Sequence, residues 1–163
     1  QGRRCREGTG AQWGARNRDL IDRALVNFSF RAMASIFTKI IHGEIPCYEL
    51  ARDEHFISFL DISPIQRGHA LVVPLQEVDY IFDLPQDILT AMLPFAQRVA
   101  RAIETVVPCK RIGLAVVGIE VPHAHMHLVP LQEVGSLDFG LPRLSLSPAE
   151  YQELAAAIRS KIV

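Results

Sequence analysis

Residues 121–130 read Val121-Pro-His-Ala-His-Met-His-Leu-Val-Pro130. His123, His125 and His127 alternate strictly with Ala124, Met126 and Leu128. A period of two marks a β-strand whose faces differ, so the stretch predicts three imidazoles on one face and apolar packing on the other. The chain holds six histidines in 163 residues and places half of them here.

Three readings of that concentration compete. The first is a solvated strand face that happens to carry histidine, although such faces ordinarily mix Thr, Lys, Glu and Arg. The second is a metal centre, because neutral imidazole is a common ligand for zinc and other transition ions. A rise of about 3.3 Å per residue sets the first and third histidines about 13 Å apart, whereas one ion holds its nitrogens at about 2 Å. Two neighbours can chelate, with His69 or Glu120 completing the set. The third is nucleophilic catalysis, with His125 attacking an electrophile while its neighbours manage charge and protons. Imidazole has an unperturbed pKa of about 6.5, which leaves a neutral nucleophile at pH 7; a flanking cationic ring would stabilise an anionic transition state.

The run His123-Ala-His-Met-His-Leu-Val129 resembles the signature of the histidine triad family, three alternating histidines followed by two apolar residues. Ser35-Ile-Phe-Thr-Lys-Ile-Ile-His-Gly-Glu-Ile-Pro46 resembles the family's opening helix. Phe59-Leu-Asp-Ile-Ser-Pro64 and Gly68-His-Ala-Leu-Val-Val-Pro74 resemble its nucleotide-cradling strands, in the same order. The resemblance implies an α+β histidine triad fold, an antiparallel sheet of about five strands with a long packing helix and short terminal helices. It implies a metal-independent hydrolase or nucleotidyl transferase acting at the α-phosphate of nucleoside 5′-phosphate conjugates, either phosphoramidates or dinucleoside polyphosphates.

By that resemblance His125 forms a nucleotidyl-histidine intermediate, His123 and His127 orient it and neutralise oxygens, and His69 assists near the leaving group. Asp61 takes the ribose hydroxyls; the other reading is an Asx turn initiated before Pro64, and the two roles are compatible. Phe59 and Ile62 form the slot for a purine base. No cofactor and no catalytic metal are implied, and the partners are a purine nucleotide and a second copy of the chain. Some members bind zinc through C-x-x-C where this chain has Ser35 and Thr38, so that zinc is not expected here. Many carry a Gly-rich loop with an asparagine before it and a glutamine and a Ser or Thr ahead of the triad. This chain has only Gly118-Ile-Glu-Val-Pro122, with Glu120 near the hydroxyl's place. Glu120 could donate a proton if burial raised its pKa. The missing residues keep an alternative open, a nucleotide-binding regulatory protein with negligible turnover.

Size fits one domain with its own core. A net charge of −1 gives no support to nucleic-acid or membrane partners. Cys5, Cys47 and Cys109 are scattered and odd in number, a reduced, cytoplasmic pattern. No apolar run approaches the 18 or so residues of a membrane span. Residues 1–32 carry seven arginines against three acids, a balance of +4 that leaves −5 for the remainder. A transit peptide or a basic arm would fit that charge. The preferred expectation is a disordered or non-native extension before Met33, with residues 33–163 as the histidine triad domain.

Ser35 is expected to cap a helix over residues 36–42, ended by Gly43. Strands are expected near 48–51, 55–60, 69–74 and 112–117. A long helix over about 84–107, capped by Asp83 and kinked at Pro94, carries apolar residues at i, i+3, i+4, i+7 spacing. Ser147-Pro-Ala-Glu150 is a capping box that opens a helix over 148–162. His42 and His55 are expected at the surface.

Overall fold

A computed structural model describes residues 34–163. The chain divides into units Gln1–Ala34 and Ser35–Val163. The expectation for residues 1–32 lies outside the described residues. The second unit runs α1 (Ile36–Ile41), β1 (Glu49–Arg52), β2 (Phe56–Leu60), β3 (Ala70–Pro74), α2 (Gln86–Val106), β4 (Arg111–Ala115), β5 (Met126–Leu131) and α3 (Pro148–Arg159). The five strands form one antiparallel sheet in the order β1-β2-β3-β5-β4. This is the expected α+β architecture.

Each face of the sheet has its own core. Phe56, Leu60, Ala70, Val72, Met126 and Leu128 point to one face and pack against α2 and α3. Ile57, Phe59, Leu71 and Val73 point to the other and pack against Phe37 and Ile40 of α1. Alternation along each strand dictates this division, because successive side chains leave a strand on opposite sides. The long helix buries Met92, Phe95, Ala96, Val99, Ala102 and Ile103, one helical stripe. Its place on the first face leaves the second free to carry the site.

Helix ends follow local chemistry. Ser35 Oγ accepts the Thr38 N–H at 3.1 Å, and Gly43 takes a φ of +74° just after α1. Ser147 and Glu150 form the capping box of α3. The cap of α2 differs from expectation. Pro85 forces Leu84 out of the helical region (ψ 143°), so α2 begins at Gln86 with Pro85 at its cap, and Asp83 closes a separate 3-10 turn over Ile81–Asp83. The helix continues through Pro94.

Among the described residues, Ser58 Oγ is the buried side-chain polar atom without a hydrogen-bond partner. Ser58 lies on β2 between Phe56 and Leu60, facing the α2 core. A buried hydroxyl that bonds nothing has lost its water without compensation. Ser58→Ala is therefore expected to be neutral or to stabilise the fold by about 1 kcal/mol, read from the urea midpoint. A loss of stability beyond about 1 kcal/mol would show that the hydroxyl has a native partner.

Candidate active site

The histidine-rich stretch is only partly a strand. β5 starts at Met126, so His127 alone of the three lies on it, with Leu71 of β3 as its cross-strand partner. His123 and His125 precede it because imidazoles occupy backbone groups that would otherwise extend the ladder. His123 Nε2 bonds the Pro74 carbonyl at 2.9 Å, and His125 Nδ1 bonds the His123 carbonyl at 2.7 Å. The Ala124 N–H turns instead to the Val78 carbonyl at 2.7 Å. The apolar half of the pattern holds, since Ala124, Met126 and Leu128 all enter the α2 core. The other half is not solvated: His123, His125 and His127 are all buried. His42 and His55 are exposed.

Hydrogen bonds fix which nitrogen of each neutral ring carries the proton. A carbonyl only accepts, so His125 Nδ1 is protonated and its Nε2 keeps a lone pair. By the same logic His123 donates from Nε2 to Pro74 and accepts at Nδ1 from Ser35 Oγ at 2.8 Å. His69 Nδ1 accepts the Ile65 N–H at 3.3 Å, so its proton is on Nε2 and goes to His127 Nδ1 at 3.0 Å. His127 is left with an N–H at Nε2. The site thus presents one ring nitrogen with its lone pair and the next as donor.

Electrostatics agree with neutral flanking rings. Burial, then the charges of Arg143 and His125, push His69 down to about 4. Burial, then His125 and His69, push His127 down to about 3 against the opposing pull of Asp61. His123 is lowered, chiefly by burial. The Asp61 carboxylate lies 3.5 Å from His69 Nδ1, but it meets a neutral ring, so the contact is not an ion pair at pH 7. The expected flanking imidazolium is therefore not the resting state of this site, because burial penalises the charged form.

His125 and His127, with ring centroids 4.9 Å apart, line a cavity of about 380 Å³. Asp61, Phe37, Leu71, Glu120, Phe139 and Arg143 share the lining. That volume suits a small ligand. A wider groove of about 510 Å³ runs between α2 and β4, but Leu93, Ala100, Ile112 and Leu114 give it no histidine and no comparable chemistry.

The expected site residues divide. His69 and His123 are buried and do not line the cavity; His69 bonds His127, and His123 bonds Ser35 and Pro74. Asp61 reaches the cavity and also makes the Asx turn, accepting the Ser63 N–H at 2.8 Å. Phe59 is buried against Phe37, with ring centroids 5.7 Å apart, while Phe37 itself lines the cavity. Ile62, 72% exposed, faces a different hollow with Tyr48 and Arg159. The apolar wall is thus Ile36, Phe37, Leu71 and Phe139 in place of Phe59 and Ile62. Glu120 lines the cavity from an exposed position, so the burial that its proton-donor role required is not present. Phe139 and Arg143 were missed, because nothing in a stretch rich in Gly and Pro marks which side chain folds back onto a strand already passed.

Two residue groups bear on metals. Ser35 and Thr38, where the resemblance would place zinc ligands in some members, cluster with Glu77 and His123. Their oxygens and imidazole satisfy one another: Ser35 bonds His123, and Thr38 donates to Glu77. Burial raises the Glu77 pKa, but bonds from Thr38 and the Ser35 N–H outweigh it and hold the carboxyl below its ordinary value. Two hydroxyls replacing thiolates do not fit a structural zinc. Asp61, His69 and His127 each offer a ligand atom within 4.8 Å of the others, but the two rings already bond each other.

The HIT domain family matches residues 42–134. An adenosine 5′-monophosphoramidase of Schizosaccharomyces pombe is 35% identical over 133 residues, covering 80% of this chain and 99% of that protein. An adenylylsulfatase of Arabidopsis thaliana is 29% identical over 103 residues, 60% of this chain and 52% of that one. Among solved structures, a zinc-bound histidine triad family protein from Mycobacterium smegmatis superposes with a TM-score of 0.69 at 28% identity, covering 80% of this chain and 94% of that chain.

Proposed function

The chain belongs to the HIT domain family, and we propose that it is a metal-independent hydrolase or nucleotidyl transferase acting at the α-phosphate of nucleoside 5′-phosphate conjugates. The observation that carries this reading is the His125 Nε2 lone pair beside the His127 Nε2–H in one cavity. Relatives named for phosphoramidase and adenylylsulfatase activity support the substrate class.

His125 Nε2 attacks phosphorus in line, a P–N bond forms, and the bond to the leaving group breaks with its electron pair departing on that group. His127 donates its Nε2–H to a non-bridging phosphoryl oxygen. His69 holds His127 in the required tautomer, and Ser35 and Pro74 do the same for His123. Water then attacks phosphorus and the P–N electrons return to Nε2. The nucleoside monophosphate leaves, and the proton lost by water balances the one the leaving group takes up. Asp61 bonds the ribose hydroxyls through carboxylate capacity not used by its turn. Phe37 and Leu71 pack the base of a purine nucleotide.

We assign this activity to residues 33–163, working in the cytoplasm as a homodimer. The free thiols of Cys47 and Cys109 support the compartment. The exposed apolar residues Leu114, Val116 and Val117 at and beyond the edge strand β4 support the dimer. No described helix is long and apolar enough to cross a membrane.

Chelation tests the metal-independent chemistry. AMP release from adenosine 5′-phosphoramidate by the purified protein is expected to proceed at the same rate with and without EDTA. Loss of activity with EDTA and its return with zinc would instead give Asp61, His69 and His127 the role of metal ligands.

A further inference from the structure

After β5 the chain returns across the site as a strap. The Phe139 ring packs its edge against His127, with centroids 4.8 Å apart, and against His69 at 6.3 Å. Asp138 closes a turn beneath it, accepting the Gly140 N–H at 2.8 Å and the Leu141 N–H at 3.1 Å. The Leu144 N–H ties the far end to the Pro64 carbonyl at 2.8 Å. Arg143 lies between these anchors, exposed, and lines the same cavity as His125 and His127.

Arg143 is the only Lys or Arg among the described residues lining that cavity, where Asp61 and Glu120 are acidic. It makes no hydrogen bond or ion pair with the described residues, so its guanidinium N–H groups are available to a ligand. Its charge acts on His69 and His127, helping to hold both rings neutral. An anionic substrate would otherwise meet no permanent positive charge among the described lining residues.

The His125 ring is packed by Phe37 of α1 at 5.0 Å, whereas the strap meets the site at His127 and His69. In an in-line displacement the leaving group departs on the side opposite the nucleophile. An amine leaving group must gain a proton to leave. Sulfate or phosphate leaves with the P–O electron pair as an anion and gains one unit of negative charge in doing so.

Resting on the function proposed above, we infer that Arg143 receives the leaving group, and that the site favours conjugates whose leaving group departs as an oxyanion. Guanidinium pairs such oxyanions with two parallel N–H bonds. Because the leaving group's charge grows as the P–O bond breaks, Arg143 acts more strongly in the transition state than on bound substrate.

The test compares adenosine 5′-phosphosulfate with adenosine 5′-phosphoramidate in the full chain, wild type and Arg143→Ala, Arg143→Lys and Arg143→Glu. The ratio of kcat/KM for the sulfate over the amidate is expected to fall about tenfold or more in R143A, further in R143E, and to recover partly in R143K. Most of the fall should appear in kcat. A ratio unchanged in R143A overturns the inference, whether both activities drop together, which places Arg143 on the α-phosphate, or neither moves. Should wild type turn over neither conjugate, their affinities by calorimetry are judged by the same ratio. Failure of wild type to bind either overturns the proposed function itself, and this inference with it.

Discussion

His125→Ala is expected to lower kcat/KM for adenosine 5′-phosphoramidate by about four orders of magnitude or more, the scale on which loss of a nucleophile acts. No neighbour can replace it. His127 has its Nδ1 engaged by His69 and offers only an N–H at Nε2, and His123 has both nitrogens bonded, to Ser35 and to Pro74. The fold should survive, since His125 makes one side-chain hydrogen bond, to a backbone carbonyl two residues away. Intact-protein mass spectrometry after a neutral quench should find a nucleotidyl adduct on wild type and none on the variant. Residual turnover within about tenfold of wild type would exclude covalent catalysis at this ring. Tight AMP binding by wild type without adduct or turnover would favour the regulatory nucleotide-binding reading.

Acid should destabilise the protein well above the range where carboxylates titrate. His69 and His127 are held at about 4 and about 3 in the fold, chiefly by burial, whereas an exposed histidine titrates near 6.5. Below pH 6.5 the unfolded chain therefore binds protons that the folded chain refuses. Stability from these depressed values is present above pH 6.5 and is lost as pH falls toward the folded-state values. Each ring contributes a slope approaching about 1.4 kcal/mol per pH unit, so the two together cost about 5 kcal/mol by pH 4.5. His123, lowered in the same direction, adds to the loss. Urea midpoints measured at pH 7.0, 6.0, 5.0 and 4.5 should fall in that order. A flat profile from pH 7.0 to 5.0 would mean that the rings accept protons without leaving their buried sites.

Much of the site was legible because its chemistry is contiguous. Three imidazoles within five residues, alternating with side chains that enter the core, name the reactive stretch without any tertiary information. The Ser35 cap of α1 and the capping box of α3 were likewise readable, being interactions between residues three apart. Asp61 could be placed both in a turn and in the site because its turn partner is two residues away.

What the sequence determined by itself was local: the sheet's alternation, the α2 stripe, the caps of α1 and α3, and the cluster of three histidines. The tertiary structure decided which of those histidines face the cavity and in what proton state. The tautomers depend on Pro74, Ser35 and Ile65, and the chain brings these to the triad from 49, 88 and, by way of His69, 62 residues away. It likewise replaced Phe59 and Ile62 with Phe37 and Phe139 on the cavity wall, and brought Arg143 beside the triad. Period and capping are properties of neighbouring residues, whereas burial, charge and hydrogen-bond partnership exist only once distant segments have packed.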